Sequence, residues 1–159
     1  MEILKKITDF IYGTRQVREK YSSDNPNEKI LAADASKGIM TKGNTEIKRD
    51  FGWVNSQRAV VLLTDKRIKC GKWDIPLDNI SSAQLVKINT TFGSGQVLKI
   101  TTKDQNNFQF GMQMNREWIE QSVLPLTLEK GKLKFSLFSI AIRIFLVGYF
   151  IYWIIEKMK

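Results

Sequence analysis

The sequence contains no histidine, and that absence removes much chemistry at once. Without imidazole there is no His-based nucleophile–base pair, no histidine general acid or base, and no ligand for most zinc sites. Cysteine is nearly absent as well: Cys70 stands alone, so no intrachain disulfide can form, which fits a reducing compartment. Cys70 sits in an apparent strand and reads as a packed thiol, not a nucleophile. No phosphate-cradling glycine loop or metal cluster is present, and Phe92-Gly93-Ser94-Gly95 offers only a glycine pair in a turn. The chain is therefore expected not to be an enzyme, with no catalytic residues, no metal and no cofactor. Met1–Gly13 is also not expected to be a secretory signal. Lys5, Lys6 and Asp9 interrupt Met1–Gly13 and leave no apolar core of the usual ~7–15 residues.

Positive charge, by contrast, is plentiful. There are 25 Lys+Arg against 16 Asp+Glu, a formal net charge of +9, of which +6 lies on residues 1–132. A basic domain beside a membrane is drawn to anionic headgroups by roughly 1 kcal/mol per well-placed Lys or Arg. The same charge also simply keeps a protein dispersed. The excess is modest and a membrane surface accounts for it, so nucleic acid is not an expected partner. At 159 residues there is room for one domain and an anchor.

Residues 2–17 have the period of an amphipathic helix, with Ile3, Leu4, Ile7, Phe10 and Ile11 on one stripe and Lys5, Lys6, Asp9 and Gln16 opposite. The stripe can pack on the domain, lie in a bilayer interface or meet a partner helix. Tyr21–Lys29 is a turn-rich linker. Strand signals then run from Lys29 to about Met112: Ile30–Ser36, an ambiguous Glu46–Asn55 with Phe51 and Trp53 alternating, the buried run Ala59–Leu63, Arg67–Cys70, Trp73–Ile80 broken by Pro76, Ser82–Asn89, Gln96–Thr102, and Phe108–Met112 with period two. Short strands joined by Gly, Asn and Asp turns suggest a meandering antiparallel sandwich or barrel. A helix follows, with Asn115 as N-cap, a Met114–Ile119 staple, and Trp118, Ile119, Ser122 and Val123 on one face before Pro125.

The order VVLLTDKRIKCG, WDIPLDNISSAQLV, QVLKITTKDQNNFQFGM, NREWIEQSV resembles bacterial pleckstrin-homology (PH-like) and related GRAM domains. Leu63–Ile68 and Ile75–Ile80 are the most typical pieces, and the resemblance covers about residues 28–124. It implies a mainly β fold, a bent seven-stranded barrel plugged at one end by a C-terminal helix, with Trp118, Ile119 and Val123 in the core. It names a fold and not a ligand. In eukaryotic PH domains a basic pattern near the first two strands holds phosphoinositides, which makes Lys37, Lys42, Lys48 and Arg49 the candidate headgroup contacts. Bacterial relatives are not generally phosphoinositide readers, so a protein or peptide partner is an equal expectation, and an exposed sheet edge can accept a partner strand.

Phe135–Ile155 (FSLFSIAIRIFLVGYFIYWII) carries one charge, Arg143. At ~1.5 Å per residue it matches the ~30 Å hydrocarbon core. Arg143 costs about 2.5–3.5 kcal/mol near the centre, while each Leu, Ile, Phe or Val returns roughly 0.3–0.6. A transmembrane helix over 135–155 is the expectation, with a buried or interfacial helix as the alternative. Tyr149, Tyr152 and Trp153 suit an interfacial belt. Ser136, Ser139 and Arg143 share one face and form a candidate assembly stripe, or Arg143 merely snorkels. Lys130, Lys132 and Lys134 precede the segment as a juxtamembrane basic group and favour a cytoplasmic domain, giving a tail-anchored, single-pass topology. The expected organisation is 1–27 amphipathic helix and linker, 28–124 PH-like domain, 125–134 linker, 135–155 membrane helix and 156–159 tail. Two functions follow. One is a membrane-tethered binding module for lipid headgroups or a membrane protein. The other is an accessory or immunity-type subunit assembled, with a partner or with itself, through the helix.

Overall fold

The computed structural model describes residues 2–42, 47–49, 56–90, 93–131, 134–135 and 137–157, with side chains at 5–41, 47, 56–89, 94–131, 141 and 144–157. Two helices open the chain, α1 (Glu2–Ile11) and α2 (Thr14–Asp24). The strands are β1 (Ile30–Lys42), β2 (Lys48–Arg49), β3 (Gln57–Thr64), β4 (Arg67–Cys70), β5 (Trp73–Pro76), β6 (Ile80–Thr90), β7 (Gly93–Thr102) and β8 (Asn106–Gln113). A short helix α3 (Glu117–Glu120), strands β9 (Thr127–Gly131) and β10 (Lys134–Phe135), and a long helix α4 (Leu137–Lys157) complete it.

Eight strands form one sheet in the order β5-β4-β3-β1-β8-β7-β6-β9. All neighbours are antiparallel except β9, which runs parallel to β6. The mainly β expectation holds. The expected seven strands closed into a barrel do not match this sheet, which has eight strands and is open among the described residues. The eighth comes from the expected linker. Thr127–Gly131 is polar, with no alternating apolar signal, and becomes a strand because its backbone pairs with Gln84–Ile88.

One face of the sheet builds the main core: Val61, Leu63, Ile68, Ile75, Leu85, Leu98, Ile100, Phe108 and Phe110, closed by Trp118. Trp73 meets Phe108 and Phe110 edge-on, at ring-centroid distances of 5.6 and 5.8 Å. Cys70 is buried among them, and burial pushes its thiol pKa up despite the Ser36 contact. On the opposite face, Tyr21 of α2 packs with Ala33, Val60 and Leu62. Alternation explains the division: Val61 and Leu63 turn one way, Val60 and Leu62 the other.

Several local expectations are corrected. The helix expected over 2–17 is two helices, because Gly13 takes φ 61°, a left-handed conformation glycine adopts without a Cβ penalty. The second of them runs into the expected linker as far as Asp24. β1 continues through Lys42, well past Ser36. Gly93–Gly95 are not a turn but the start of β7, paired with Ile88–Thr90. In α3 only Trp118 enters the core, while Ile119 and Val123 are exposed. The helix stops at Glu120 because Gln121 is extended (ψ 148°), and its side chain bonds both the N–H and the carbonyl of Leu124. Phe51, Trp53, Phe92, Lys132 and Ser136 lie outside the described residues.

Candidate functional site

The candidate site is the basic approach to α4. After β9 the chain makes a second pairing: β10 lies parallel to β2, with Lys134 opposite Lys48 and Phe135 opposite Arg49. Two residues of the first basic region are thereby placed beside Lys134, which leads into α4. Ile47, just before β2, packs on Val86, Ile88 and Val97. This small second cluster fastens the strap to the sheet.

β9 brings a further pair of cations together. Lys130 opposes Lys87, and both are exposed. Gly131 follows opposite Ile88, where a Cβ would lie 2.4 Å from Val86 Cγ1. Only a glycine allows β9 this close to β6 without displacement. The segment expected to be a linker thus pairs with other strands in two ladders, β9 with β6 and β10 with β2.

The other candidate cations are placed differently. Lys37 lies within β1, flanked by Arg58 on β3 and Gly111 on β8. Lys42 ends β1 opposite Asn106. The structure therefore joins Lys48, Arg49 and Lys134 and does not bring Lys37 to them. Of the expected assembly stripe, Ser139 and Arg143 stand four apart on the α4 backbone; their side chains lie outside the described residues.

α4 starts at Leu137 and not at 135, because Phe135 is held in β10. The described apolar side chains from Ile144 to Ile155 are all exposed. Near its end Phe150 stacks on Trp153, and the Lys157 ammonium sits 4.8 Å from the Trp153 ring centroid. The described stretch Ile144–Lys157 covers roughly 21 Å, and among the described residues no helix is long and apolar enough to cross a membrane.

A polar junction that sequence reasoning missed holds the N-terminal helices in place. Asp34 is 1% exposed. It accepts from Lys5 Nζ at 2.7 Å, Asn115 Nδ2 at 2.7 Å and Trp118 Nε1 at 2.9 Å. Lys5 also donates to Asp9 at 2.6 Å. Glu117 accepts from Arg18, from the Ala33 N–H at 3.1 Å and from Asn115 at 3.1 Å. Burial pushes the Asp34 carboxyl up by more than Lys5, Asn115 and Trp118 pull it down. Burial also opposes the Lys5 charge, but the Asp34 and Asp9 carboxylates outweigh it and raise the Lys5 pKa. The available signal was a single carboxylate inside the small apolar run Leu31–Ala35. The N-cap expected at Asn115 falls on Arg116, which makes no side-chain cap bond, while Asn115 accepts from the Glu117 N–H at 3.1 Å.

Tyr21 adds an alkaline limit. Burial, then its hydrogen bond to Glu28, pushes its pKa from 10.0 up to about 12. Tyr21 and Lys5 both bind their protons more tightly when folded. Between their unfolded and folded pKa values the unfolded chain has released protons that the folded chain keeps, so stability falls as pH rises. Urea unfolding midpoints should therefore drop between pH 10 and about 12, with tyrosinate absorbance rising in the same window.

Compared with known proteins, the chain matches no protein-family model and no curated protein.

Proposed function

We propose that this chain is a membrane-tethered binding module, with a PH-like domain held against the cytoplasmic leaflet by α4 and engaging anionic lipid headgroups. The observation that carries the reading is the β2–β10 pairing, which sets Lys48 and Arg49 beside Lys134 at the entry to an exposed apolar helix. The described stretch of α4 falls short of a bilayer by itself. The whole backbone helix Leu137–Lys157, with the apolar sequence LFSIAI ahead of Arg143, reaches about 31 Å at ~1.5 Å per residue, which suits the hydrocarbon core. Trp153 and Lys157 at its far end suit an interface. The PH-like reading of the domain rests on the sequence order of its strand and turn segments, Leu63–Ile68 and Ile75–Ile80 above all. Lysines ahead of α4 favour the cytoplasmic side. The module performs no catalysis in this reading and needs no cofactor.

The experiment is native mass spectrometry of the full chain released from nanodiscs containing phosphatidylglycerol and phosphatidylcholine. The anionic lipid should be retained in preference. Equal retention of both lipids would remove headgroup recognition from the account.

A second reading, an accessory or immunity-type subunit assembled through α4, is favoured by the exposed apolar length of that helix together with Arg143 on it. It makes its own prediction. Arg143→Leu should insert at least as well as the wild type, because it removes a cost of about 2.5–3.5 kcal/mol. The yield of a co-purified membrane protein, normalised to inserted chain, should fall if the arginine serves assembly. Arg143→Lys should lose as much if the contact is bidentate and less if charge alone matters. Unchanged yield in both variants leaves the tethered module alone.

A further inference from the structure

The amphipathic helix α1 is seated with Lys5 and Asp9 turned to the domain. Lys5 reaches the buried Asp34 carboxylate at 2.7 Å and Asp9 at 2.6 Å, and the Thr14 hydroxyl donates to Asp9 at 3.1 Å. The described apolar side chains of its stripe are left outside: Phe10 is 83% exposed, Ile11 71% and Ile7 50%. A helix that packed its greasy stripe on the core would show the reverse. The buried ion pair at Asp34 fixes this orientation, since turning α1 over would strand the Asp34 carboxylate without its cation.

The strand register says at which end of the sheet Asp34, the anchor of α1, lies. Gly131 opposes Ile88, Ile88 opposes Gly95, Gly95 opposes Gln113, and the neighbouring Met112 opposes Ser36, two residues after Asp34. Asp34, under α1, and Gly131, where the chain leaves for α4, therefore occupy the same end of the sheet, four strand spacings or roughly 19 Å apart. The neighbouring row, through Gln96, Met112 and Ser36, carries the exposed, opposed cations Lys87 and Lys130, and Lys6 is exposed on α1 itself. An exposed apolar patch with Lys6 on the same helix, at the sheet end that also carries Lys87 and Lys130, is complementary to an anionic bilayer surface. At ten residues α1 is too short to span a bilayer and long enough to lie in its interface.

We infer that α1 is a second membrane contact, an interfacial helix that sinks Ile7, Phe10 and Ile11 into the headgroup boundary beside the α4 entry. This rests on the tethered-module reading for its geometry, and the experiment separates the two. The full chain carrying Phe10→Cys, labelled with a polarity-sensitive fluorophore, is placed in nanodiscs containing phosphatidylglycerol; Cys70 is buried, which directs the label to the new thiol. A Gln16→Cys label on the exposed side of α2 is the control.

The expected result is a blue shift at position 10, quenching by shallow nitroxide lipids, and a severalfold loss of iodide quenching, with none of these at position 16. An Ile7→Cys label should repeat the result. A label at position 10 that stays open to iodide overturns the inference. Protection from iodide without lipid quenching also overturns it, because a second copy or a protein partner then covers the face. If the chain fails to enter the discs, the tethered reading falls, and flotation of the free chain on phosphatidylglycerol vesicles decides the matter for α1. Loss of flotation in Phe10→Glu/Ile11→Glu then supports the inference, and equal flotation overturns it.

Discussion

Asp34→Ala is expected to destabilise the domain by about 3 kcal/mol and to release α1. The carboxylate is buried and accepts from an ammonium, an indole N–H and an amide. Its loss leaves the Trp118 Nε1–H without its acceptor inside the core and leaves Lys5 with Asp9 alone. Asp34→Asn should cost roughly half as much, since it keeps an oxygen near Trp118 and removes a charge whose burial is itself unfavourable. Lys5→Met separates charge from contact. It leaves Asp34 with neutral donors, and burial already raises the Asp34 pKa. A raised carboxyl pKa means that the folded state holds its proton longer than the unfolded chain. Stability should therefore fall as pH rises through the window between the unfolded and folded Asp34 values, and more steeply in Lys5→Met than in wild type. Denaturant melts of the three variants across the acid range measure this. An Asp34→Ala chain as stable as wild type would show that the junction is ornamental.

The triple change Lys48→Ala/Arg49→Ala/Lys134→Ala should abolish most of the preference for anionic lipid. Each well-placed cation contributes roughly 1 kcal/mol at a membrane surface, so three together amount to a loss on the order of a hundredfold. The strap itself should survive, because Ile47 remains on Val86, Ile88 and Val97 and the β2–β10 ladder uses backbone groups. Lys37→Ala, at a position flanked by Arg58 and Gly111 away from the strap, should have a much smaller effect. The wild-type preference should also weaken with salt, within the reach of the ~10 Å Debye length at 0.1 M. Retained lipid, read by native mass spectrometry at matched protein, is the observable.

The strands with β-branched or aromatic runs were legible in the sequence. Ala59–Leu63, Leu98–Thr102 and Phe108–Met112 lie where their patterns place them, and Pro76 ends its strand as a missing N–H requires. Several strand segments were not, among them the start of β7 and β10, and two share one reason. The end of β1, Lys37–Lys42, contains Gly38 and no aromatic residue, and it is a strand because β8 pairs along its whole length and β3 beside Lys37 and Gly38. β9 is polar and depends on β6 for its ladder. Both owe their conformation to partners distant in sequence, which local propensity does not register. The amphipathic period of α1 was visible, but not which face meets the domain. That choice is made by Asp34, and the hydrophobic pattern alone points the other way. The basic residues of the site were visible one by one, whereas the joining of Lys48 and Arg49 to Lys134 is a matter of topology.

Alkaline carbonate extraction of membranes from cells producing the full chain bears most directly on the central claim that α4 tethers this domain to a bilayer. The account predicts that the chain stays in the membrane pellet and that a variant ending at Lys134 is released. Full release of the intact chain into the supernatant would contradict it.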